Sequence, residues 1–590
     1  MMQTPFKRTS FLALLGLGLL TLACQITPIP SGRVDAARET GARAEATLET
    51  PTGIRGAAAS AETHATLAAM QVLEEGGNAV DAAITLGFAL AVTYPNAGNL
   101  GGGGFFLYRA PDGADWYLDF REVAPVAATR EMYLGPDGEP DKAASTRGWK
   151  AAGVPGTVFG MWEAHQRWGK LPWERLVEPA AELAEYGFAI SAAEAAALNR
   201  LRSSFGEDPR AAQVFVRADG RDWAEGDLLV QTQLASTLHA IALQGEEAFR
   251  TGPIVQATVA ASKEGGGILL PEDFAEYEPL IRPVHRIAWR GLEVLTVTPP
   301  SSGSLFLAQM LPVLEEFPLA TWGFRDPRTV QLIGEAEALA FRDRNRWLGD
   351  PASMERPWED LIDPRYLRRR AVAELDPERY TPPPATAPQA PAESTETTHY
   401  SVVDAEGGAV AVTTTLNSSY GAKVMAPGGF LMNNEMDDFA AMPGRANQYG
   451  LVQSEANAVV ARRRPLSSMS PVIVVRNGEV DAVLGSPGGP TILTTVLQVL
   501  LHRYVFEMAP EDAVAAPRFH RQDRPPVLRY EAGRLGRTTL QALQALGQPV
   551  RENAPIGDVN AIFRDGAEWA AVADPRRGGM GQVSVEGAIR

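Results

Sequence analysis

Thr397 stands where two very different kinds of sequence meet. Residues 381–396 before it are rich in proline, whereas residues 397–404 are rich in β-branched and aromatic side chains. If the bond between Glu396 and Thr397 were cut, the threonine would carry a hydroxyl nucleophile and a free α-amine on one residue. A threonine and its own amine form a complete nucleophile–base pair for covalent catalysis. The junction is therefore a candidate self-processing site.

The sequence after the junction is typical of a β-hairpin. Residues 400–403 and 409–415 are rich in β-branched side chains, and a glycine-bearing turn separates them. A turn centred midway would bring Thr415 opposite Thr397 or Thr398, with Cβ atoms about 5 Å apart. A second hydroxyl would then lie beside the proposed nucleophile. On the hairpin alone, an ordinary threonine-rich strand pair remains the alternative.

The composition narrows the class of protein. The chain has 590 residues, 45% of them hydrophobic and 21% charged, which are globular proportions. A formal net charge of −17 argues against nucleic acid and against a basic membrane-binding surface. The histidines show no metal-type spacing, and no phosphate-binding loop, dinucleotide fingerprint or G-x-S-x-G elbow occurs in the sequence. We therefore expect no cofactor and no metal.

The N-terminus has the pattern of an export signal. Lys7 and Arg8 precede an apolar run over residues 11–22, which is shorter than the ~20 residues of a membrane span. Residues 20–24 resemble a bacterial lipoprotein signal, although Thr21 stands where leucine is expected. Lipidation of Cys24, the only cysteine, is therefore a hypothesis, and an ordinary cleaved secretory signal is the alternative. Both predict an exported protein, periplasmic or membrane-anchored, of a bacterium.

Other parts of the chain predict the elements that hold this junction in place. Residues 25–50 are expected to form a flexible spacer. Residues 60–92 show helical spacing, with a break at 76–78, and the glycine run at 101–104 predicts close approach of backbones in a packed core. A strand pair is predicted at 105–108 and 116–120. Further helices are predicted at 159–168, 179–186 (with proline at its first position), 305–316 and 329–344.

Five short strings occur in order along the chain. They are residues 119–125, 415–417, 433–439, 464–471 and 485–489. Together with the hairpin at Thr397, this set resembles the γ-glutamyltransferase family, also called glutathione hydrolases, within the N-terminal-nucleophile hydrolases. The resemblance extends from about residue 55 to residue 577.

The resemblance implies a fold and a chain organisation. The expected fold is α+β, a four-layer αββα sandwich with two sheets stacked between helical layers. Residues 1–24 would be the export signal and 25–50 the spacer. A large chain, 51–396, and a small chain, 397–590, would stay associated as a heterodimer after self-cleavage. The implied partners are glutathione or other γ-glutamyl compounds and, as acceptors, water, amino acids or peptides.

The resemblance also assigns roles at the reacting centre. Thr397 would first attack the Glu396 carbonyl during processing, and its freed amine, with a pKa near 8, would then serve as base during turnover. Thr415 would hydrogen-bond the nucleophile. The amides of Gly488 and Gly489 would form the oxyanion hole. A plain turn is the alternative for the two glycines.

A γ-glutamyl substrate carries an α-carboxylate and an α-ammonium, and the resemblance supplies residues for both. Alternative interpretations are a surface ion-pair cluster for Arg121 and a solvated loop for Glu435 and Asp438. Some family members have glutamine in place of Glu435, so the residue at this position does not settle the substrate specificity. The carboxylate would bind Arg121, Ser467 and Ser468, and the ammonium would bind Asn417, Glu435 and Asp438.

Residues 443–450 resemble the lid loop of many bacterial relatives, with Tyr449 as its gate residue. A plain surface loop is the alternative. His399, two residues after the nucleophile, is expected to occupy a strand position and not to act as a base.

Two rival functions remain. One is an acylase of the same fold that acts on glutaryl or other amides, against which Asp438 and the carboxylate-binding set argue. The other is an exported binding lipoprotein that has lost catalysis, which would require an uncleaved chain.

Overall fold

The computed structural model describes residues 54–380, 397–585 and 588–589. Cys24 and Glu396, and with them the predicted signal, spacer and proline-rich segment, lie outside the described residues. Within the described ranges, no helix is both long enough and apolar enough to cross a bilayer.

The helices are distributed along the whole described chain. The α-helices are α1 (Thr63–Glu74), α2 (Ala79–Thr93), α3 (Lys142–Thr146), α4 (Thr157–Trp168), α5 (Trp173–Tyr186), α6 (Ala192–Arg200), α7 (Arg202–Phe205), α8 (Pro209–Phe215), α9 (Thr232–Gln244), α10 (Glu247–Arg250), α11 (Pro253–Glu264), α12 (Pro271–Ala275), α13 (Gly303–Glu315), α14 (Leu319–Trp322), α15 (Pro327–Trp347), α16 (Pro364–Glu374), α17 (Thr491–Tyr504), α18 (Pro510–Ala515) and α19 (Arg537–Ala545). Short 3-10 helices occur at Trp149–Ala151, Pro351–Ser353, Trp358–Ile362, Glu435–Asp438 and Glu455–Asn457.

The strands form two large sheets and two small ones. The strands are β1 (Ile54–Ser60), β2 (Gly103–Arg109), β3 (Asp115–Asp119), β4 (Phe188–Ala189), β5 (Leu228–Leu229), β6 (Leu280–Arg282), β7 (Val284–Trp289), β8 (Leu292–Val297), β9 (Thr397–Asp404), β10 (Ala409–Thr415), β11 (Val472–Arg476), β12 (Glu479–Leu484), β13 (Phe519–His520), β14 (Leu528–Glu531), β15 (Val550–Asn553), β16 (Asn560–Asp565), β17 (Glu568–Ala573), β18 (Met580–Val585) and β19 (Ala588–Ile589). The strand orders are β19-β18-β1-β9-β10-β2-β3-β6, β17-β16-β12-β11-β8-β7, β13-β14-β15 and β4-β5.

The β9–β10 hairpin lies in the middle of the eight-stranded sheet, between β1 and β2. Its strands pair antiparallel, which confirms the predicted hairpin, and Thr415 lies opposite Thr397, one of the two partners predicted for it. Every residue of both strands is buried. A run of β-branched side chains therefore suits both faces of the hairpin, because apolar layers cover it on each side.

Two large apolar cores lie on the two faces of this sheet. Alternate residues such as Val402 and Val412 pack with α1, α2, α4 and α5 in one core. Their neighbours Val403 and Ala411 pack with the six-stranded sheet and with α13, α15 and α17 in the other. By the period-2 alternation of a strand, Thr397 and Thr415 lie on the same face as Val403 and Ala411, toward the second sheet.

The glycine run that leads into β2 and forms its first two residues permits this close packing. A Cβ atom at Gly103 would lie 2.6 Å from the Phe120 carbonyl oxygen, and one at Gly104 would lie 2.5 Å from the Thr413 carbonyl oxygen. Side chains at these positions would push β2 away from its neighbours. The predicted close approach of backbones is confirmed.

Most predicted helices are present, with α2 buried along its whole length as its apolar sequence indicated. The helix predicted at 179–186 is wrong at its start, because α5 begins at Trp173 and encloses Pro179. Proline inside a helix removes one backbone hydrogen bond. Burial of Trp173, Leu176 and Val177 against the core outweighs that loss.

Candidate active site

The hairpin register brings two hydroxyls together at its open end. Thr397 begins β9 and Thr415 ends β10, and their Oγ1 atoms lie 3.2 Å apart. The backbone N–H of Asn417 donates to Thr415 Oγ1 at 2.9 Å. Asn417 has a φ of +72°, so the chain turns back sharply after β10. The strand ladder, and not a long side chain, therefore fixes the distance between the two hydroxyls.

A cavity opens beside this pair, and nearly all of the predicted site residues line it. Among the described residues, Gly488 is the exception, although its neighbour Gly489 is part of the wall. Residues far apart in sequence therefore meet at one place. The wall is formed by Arg121, Arg344, Thr397, Thr415, Asn417, Glu435, Asp438, Tyr449, Leu451, Ser467, Ser468, Met469, Gly489, Pro490 and Ile492.

Arg121 is fully buried at one end of the cavity and is held by acidic groups. Its Nη1 lies 2.6 Å from Glu435 Oε1, and its Nη2 lies 2.6 Å from Asp438 Oδ2. Its Nε donates to the Pro465 carbonyl at 2.8 Å. The alternatives of a surface ion-pair cluster and a solvated acidic loop are thus both wrong, because Arg121 and Glu435 are at most 1% exposed.

Acidic groups outnumber the cation at this end. Glu122 Oε2 lies 3.8 Å from Arg121 Nη1, so three carboxyl groups surround one guanidinium. Burial raises the pKa of Glu122 to about 8, although Arg121 opposes the shift. Burial, and repulsion from Glu122 and Asp438, likewise raise the pKa of Glu435 against the attraction of Arg121. The surplus of oxygen acceptors suits a ligand ammonium group.

Arg344 is a second buried guanidinium in the wall, and the sequence interpretation missed it. Its Nη2 donates to Ser468 Oγ and its Nε to Ser302 Oγ, each at 3.0 Å. A signal was available, because Arg344 continues the four-residue spacing of Ala336 and Ala340 on the buried face of α15. The surrounding run of arginines and aspartate obscured that spacing, since such runs are usually solvated.

Gly488 and Gly489 form the turn that leads into α17. Their φ values are +131° and +54°, and a glycine tolerates both. Within the described ranges, neither amide N–H donates to a protein acceptor. The N-terminus of α17 follows at once, and its partial positive charge faces the cavity wall at Pro490 and Ile492. Both features favour a developing negative charge at this position.

Tyr449 is part of the cavity wall beside Gly489. Its O–H donates to Asn417 Oδ1 at 2.6 Å, and the Asn417 Nδ2 donates to the Asn434 carbonyl at 2.9 Å. Tyr449 is only 8% exposed, and a Cβ built on Gly489 would lie 3.4 Å from its ring. Tyr449 is therefore part of the wall and not of a plain surface loop. Its action as a gate stays a prediction.

His399 is a buried strand residue, as the sequence indicated. Its Nδ1 is 2.9 Å from Thr413 Oγ1, and its Nε2 is 3.1 Å from Ser401 Oγ. Burial lowers the pKa of His399 to about 3, so the ring is neutral at ordinary pH. It does not contact Thr397. Within the described residues, no three His, Cys, Asp or Glu side chains are grouped as metal ligands.

Comparisons with known proteins agree with this geometry. The Gamma-glutamyltranspeptidase family profile matches residues 65–584. A glutathione hydrolase proenzyme of Escherichia coli (strain K12) is 42% identical over 527 residues, which cover 88% of this chain and 90% of the relative. An acylase ACY 1 proenzyme of Pseudomonas sp. (strain SE83) is 34% identical over 519 residues, which cover 86% of this chain and 90% of the relative.

A solved structure supports the fold. The cephalosporin acylase from Bacillus halodurans has a TM-score of 0.79 and 23% identity, covering 95% of this chain and 99% of that one. At this identity the superposition bears on the fold alone. The chain belongs to the gamma-glutamyltranspeptidase family, within the N-terminal-nucleophile hydrolases.

Proposed function

We propose that the protein is a self-processing γ-glutamyltransferase and glutathione hydrolase with Thr397 as its nucleophile. One observation carries the proposal. The hydroxyl of Thr397 faces the same cavity as a buried cluster of one guanidinium and acidic side chains, which has the charges needed to recognise an amino acid. Family membership adds the activity class.

In acylation, the Thr397 hydroxyl attacks the γ-carbonyl carbon of the substrate while its own α-amine takes the hydroxyl proton. The carbonyl oxygen becomes negatively charged and is stabilised by the amides of Gly488 and Gly489. The carbon–nitrogen bond of the amide then breaks, and the leaving amine receives the proton from the Thr397 ammonium. A glutamyl ester on Thr397 remains. Thr415 keeps the Thr397 hydroxyl oriented throughout.

In deacylation, water or the amine of an amino acid or peptide attacks the ester. The α-amine of Thr397 takes a proton from the attacking group and returns one to the Thr397 oxygen, which leaves. Water gives glutamate, and an amine acceptor gives a new γ-glutamyl compound. The glutamyl ammonium binds at Asn417, Glu435 and Asp438, and its carboxylate binds at Arg121, Ser467 and Ser468.

The acidic surplus favours γ-glutamyl substrates over glutaryl substrates. A glutaryl group has the carboxylate but lacks the ammonium. The Glu435 and Asp438 side chains, which line the cavity, would then face no cation from the ligand. A site selective for glutaryl amides would gain nothing from this arrangement.

The proposal includes the chain organisation. The two apolar cores on opposite faces of the central sheet support a four-layer αββα sandwich. Residues 51–396 would form the large chain and residues 397–590 the small chain of a heterodimer. Shared burial of β1, β9 and β18 in one sheet would hold the two chains together after cleavage.

The decisive experiment measures chain masses and acyl specificity on one preparation. The purified protein is expected to give two chains, the smaller beginning at Thr397, and to cleave γ-glutamyl-p-nitroanilide faster than glutaryl-p-nitroanilide. A single chain that stays intact for days would leave no free α-amine and would contradict the mechanism. Two chains with equal rates on both anilides would keep the nucleophile but overturn the ammonium site.

We also propose export with a lipid anchor at Cys24, on the sequence pattern alone. Globomycin is expected to block maturation, and the mature N-terminus is expected to carry an acyl mass. A mature protein that lacks Cys24 and is insensitive to globomycin would point to an ordinary secretory signal.

A further inference from the structure

A histidine ring lies behind the nucleophile, between the two large sheets. His399 is on β9, two residues after Thr397, and strand alternation directs both side chains toward the six-stranded sheet. His399 is fully buried, and a buried polar ring is costly unless its hydrogen bonds are satisfied. The acylation and deacylation steps give this ring no role, so its contacts need an explanation of their own.

Each ring nitrogen of His399 has a hydroxyl partner on the nucleophile hairpin. Nδ1 lies 2.9 Å from Thr413 Oγ1 on β10, and Nε2 lies 3.1 Å from Ser401 Oγ on β9. Thr413 is two residues before Thr415, so the ring contacts both strands that carry the reacting hydroxyls.

The direction of each of these hydrogen bonds follows from Ser401. Its hydroxyl donates to the Asn560 carbonyl at 2.9 Å and also lies 3.2 Å from the Val483 carbonyl. Carbonyls only accept, so Ser401 Oγ must accept from His399 Nε2–H. The ring is neutral and carries one proton, so its Nδ1 accepts from the Thr413 hydroxyl. Both nitrogens of the neutral ring are thereby satisfied.

The edge of the ring contacts the oxyanion turn, residues 485–489, which includes Gly488 and Gly489. This turn begins directly after β12 ends at Leu484. A Cβ atom built on Gly485 would lie 2.3 Å from His399 Nδ1 and 2.5 Å from Cε1, so the ring leaves room there only for glycine. Gly485 does not have a positive φ. The ring, and not the backbone conformation, therefore excludes a side chain at Gly485.

A further contact fixes the His399 backbone to the six-stranded sheet. Asn560 Nδ2 donates to the His399 carbonyl at 3.1 Å, and the Asn560 carbonyl accepts from Ser401. Asn560 begins β16, which pairs with β12. Both the main chain and the side chain of His399 thus connect the nucleophile hairpin to the sheet from which the oxyanion turn emerges.

We propose that His399 is a positioning residue that sets the separation between the Thr397 hydroxyl and the amides of Gly488 and Gly489. The hairpin fixes Thr397, the oxyanion turn fixes the amides, and the His399 ring is the spacer that contacts both. A misplacement of about 1 Å between such groups costs about a hundredfold in rate. This inference rests on the proposed function and adds to it the residue that aligns the nucleophile with the oxyanion hole.

The test compares two ligands that differ in their use of the oxyanion hole. Glutamate, the product of hydrolysis, binds without a bond to Thr397. The glutamate analogue with a boronic acid in place of the γ-carboxyl forms a bond between boron and the Thr397 oxygen, while the Thr397 α-amine takes the hydroxyl proton. The resulting tetrahedral, negatively charged boronate resembles the transition state and places an oxygen at the two amides.

For His399→Ala we expect kcat on γ-glutamyl-p-nitroanilide to fall about tenfold to a hundredfold, and the inhibition constant of the boronate to rise by a similar factor. The inhibition constant of glutamate should stay within about threefold, because glutamate does not depend on the oxyanion hole. His399→Asn, which keeps an acceptor near Nδ1, should give a smaller loss. All values refer to equal amounts of the two-chain enzyme.

The matched control is His502→Ala. His502 is also buried, its pKa is also lowered by burial to about 3, and it lies near the far end of α17 from the oxyanion turn. Its loss should lower Tm without changing kcat or either inhibition constant.

A double substitution tests the contact between the ring and the turn. Gly485→Ala should lower kcat about tenfold, because the new Cβ pushes the turn away from the His399 ring. With His399→Ala also present the clash is absent, so Gly485→Ala should then change kcat by less than about threefold.

Thr413→Val carries the test if His399→Ala is not processed into two chains. It removes the hydroxyl that donates to Nδ1 and keeps the shape of the side chain. We expect kcat to fall about threefold to tenfold with glutamate binding unchanged.

Equal weakening of glutamate and boronate binding, unchanged boronate binding, or independent effects of Gly485→Ala and His399→Ala would overturn the role of His399. Wild-type protein that is processed but inactive on γ-glutamyl-p-nitroanilide would instead overturn the proposed function.

Discussion

The two ends of the cavity are built in opposite ways. The nucleophile end consists of two uncharged hydroxyls, Thr397 and Thr415, on adjacent strands of one hairpin. The recognition end consists of charged side chains from segments that are widely separated in sequence, including Arg121, Arg344 and Asp438. One end depends on a strand register, and the other depends on the packing of several elements against each other.

This difference separates processing from recognition. A change at the nucleophile end should stop both self-cleavage and turnover, because both use the Thr397 hydroxyl. A change at the recognition end should leave self-cleavage intact, because the scissile bond at residue 396 carries no free α-ammonium or α-carboxylate for that end to bind. Two substitutions, Thr397→Ala and Asp438→Asn, test this separation, and two with smaller expected effects test Tyr449 and Glu122.

Thr397→Ala should abolish processing and lower kcat/KM by at least ~10⁴-fold, since it removes the nucleophile. Gel electrophoresis and single-turnover assays would measure both effects. Thr398→Val is the matched control, because Thr398 is buried on the opposite face of β9 and its Oγ1 has no hydrogen-bond partner among the described residues. Processing of the Thr397→Ala protein into two chains would contradict the assignment of Thr397 as the nucleophile.

Asp438→Asn should lower kcat/KM on γ-glutamyl-p-nitroanilide by about 10²-fold while processing continues, because an ionised acceptor for the ammonium is lost. Glutaryl-p-nitroanilide should be nearly insensitive. The control is Asp437→Asn, since Asp437 contacts Ser145 Oγ and the Gln448 amide instead of Arg121. If Asp438→Asn blocked processing, the two ends would not be separable.

Tyr449→Phe should raise KM about threefold to tenfold with little change in kcat. It removes the hydrogen bond to Asn417 Oδ1 but keeps the ring beside Gly489. Steady-state kinetics with γ-glutamyl-p-nitroanilide would measure KM and kcat separately. A fall in kcat with constant KM would indicate that the hydroxyl acts on the reacting atoms.

Glu122→Gln should change the pH dependence of stability. The pKa of Glu122 is raised to about 8 in the folded protein, against ~4.3 when unfolded. The folded state therefore binds more protons between these values, and stability from this group is highest below ~4.3 and declines as pH rises through 8. The variant should raise Tm by about 2 °C at pH 8 and change it little near pH 4.

Calorimetry at the two pH values would measure this effect, with the exposed Glu131→Gln as control. A rise in Tm of the same size at both pH values would show that packing, and not ionisation, causes it.

The sequence was most informative where structure is local. The hairpin and its register followed from β-branched residues on either side of a glycine-bearing turn, and the full burial of α2 followed from its apolar composition. The start of α5 was mispredicted because proline normally marks a first helical position, whereas burial of Trp173 extends the helix upstream. Arg344 was missed because helical spacing alone did not show that its charge faces a cavity.

The sequence by itself determined the candidate nucleophile, the hairpin that holds it and the motifs that resemble one family, since these depend on neighbouring residues and on strand alternation. Only the tertiary structure decided that Arg121 is paired with Glu435 and Asp438 while Arg344 contacts hydroxyl and amide oxygens. Arg121 and Asp438 are 317 residues apart in sequence, and Arg344 and Ser468 are 124 apart. The partner of a buried charge therefore depends on which elements pack around it.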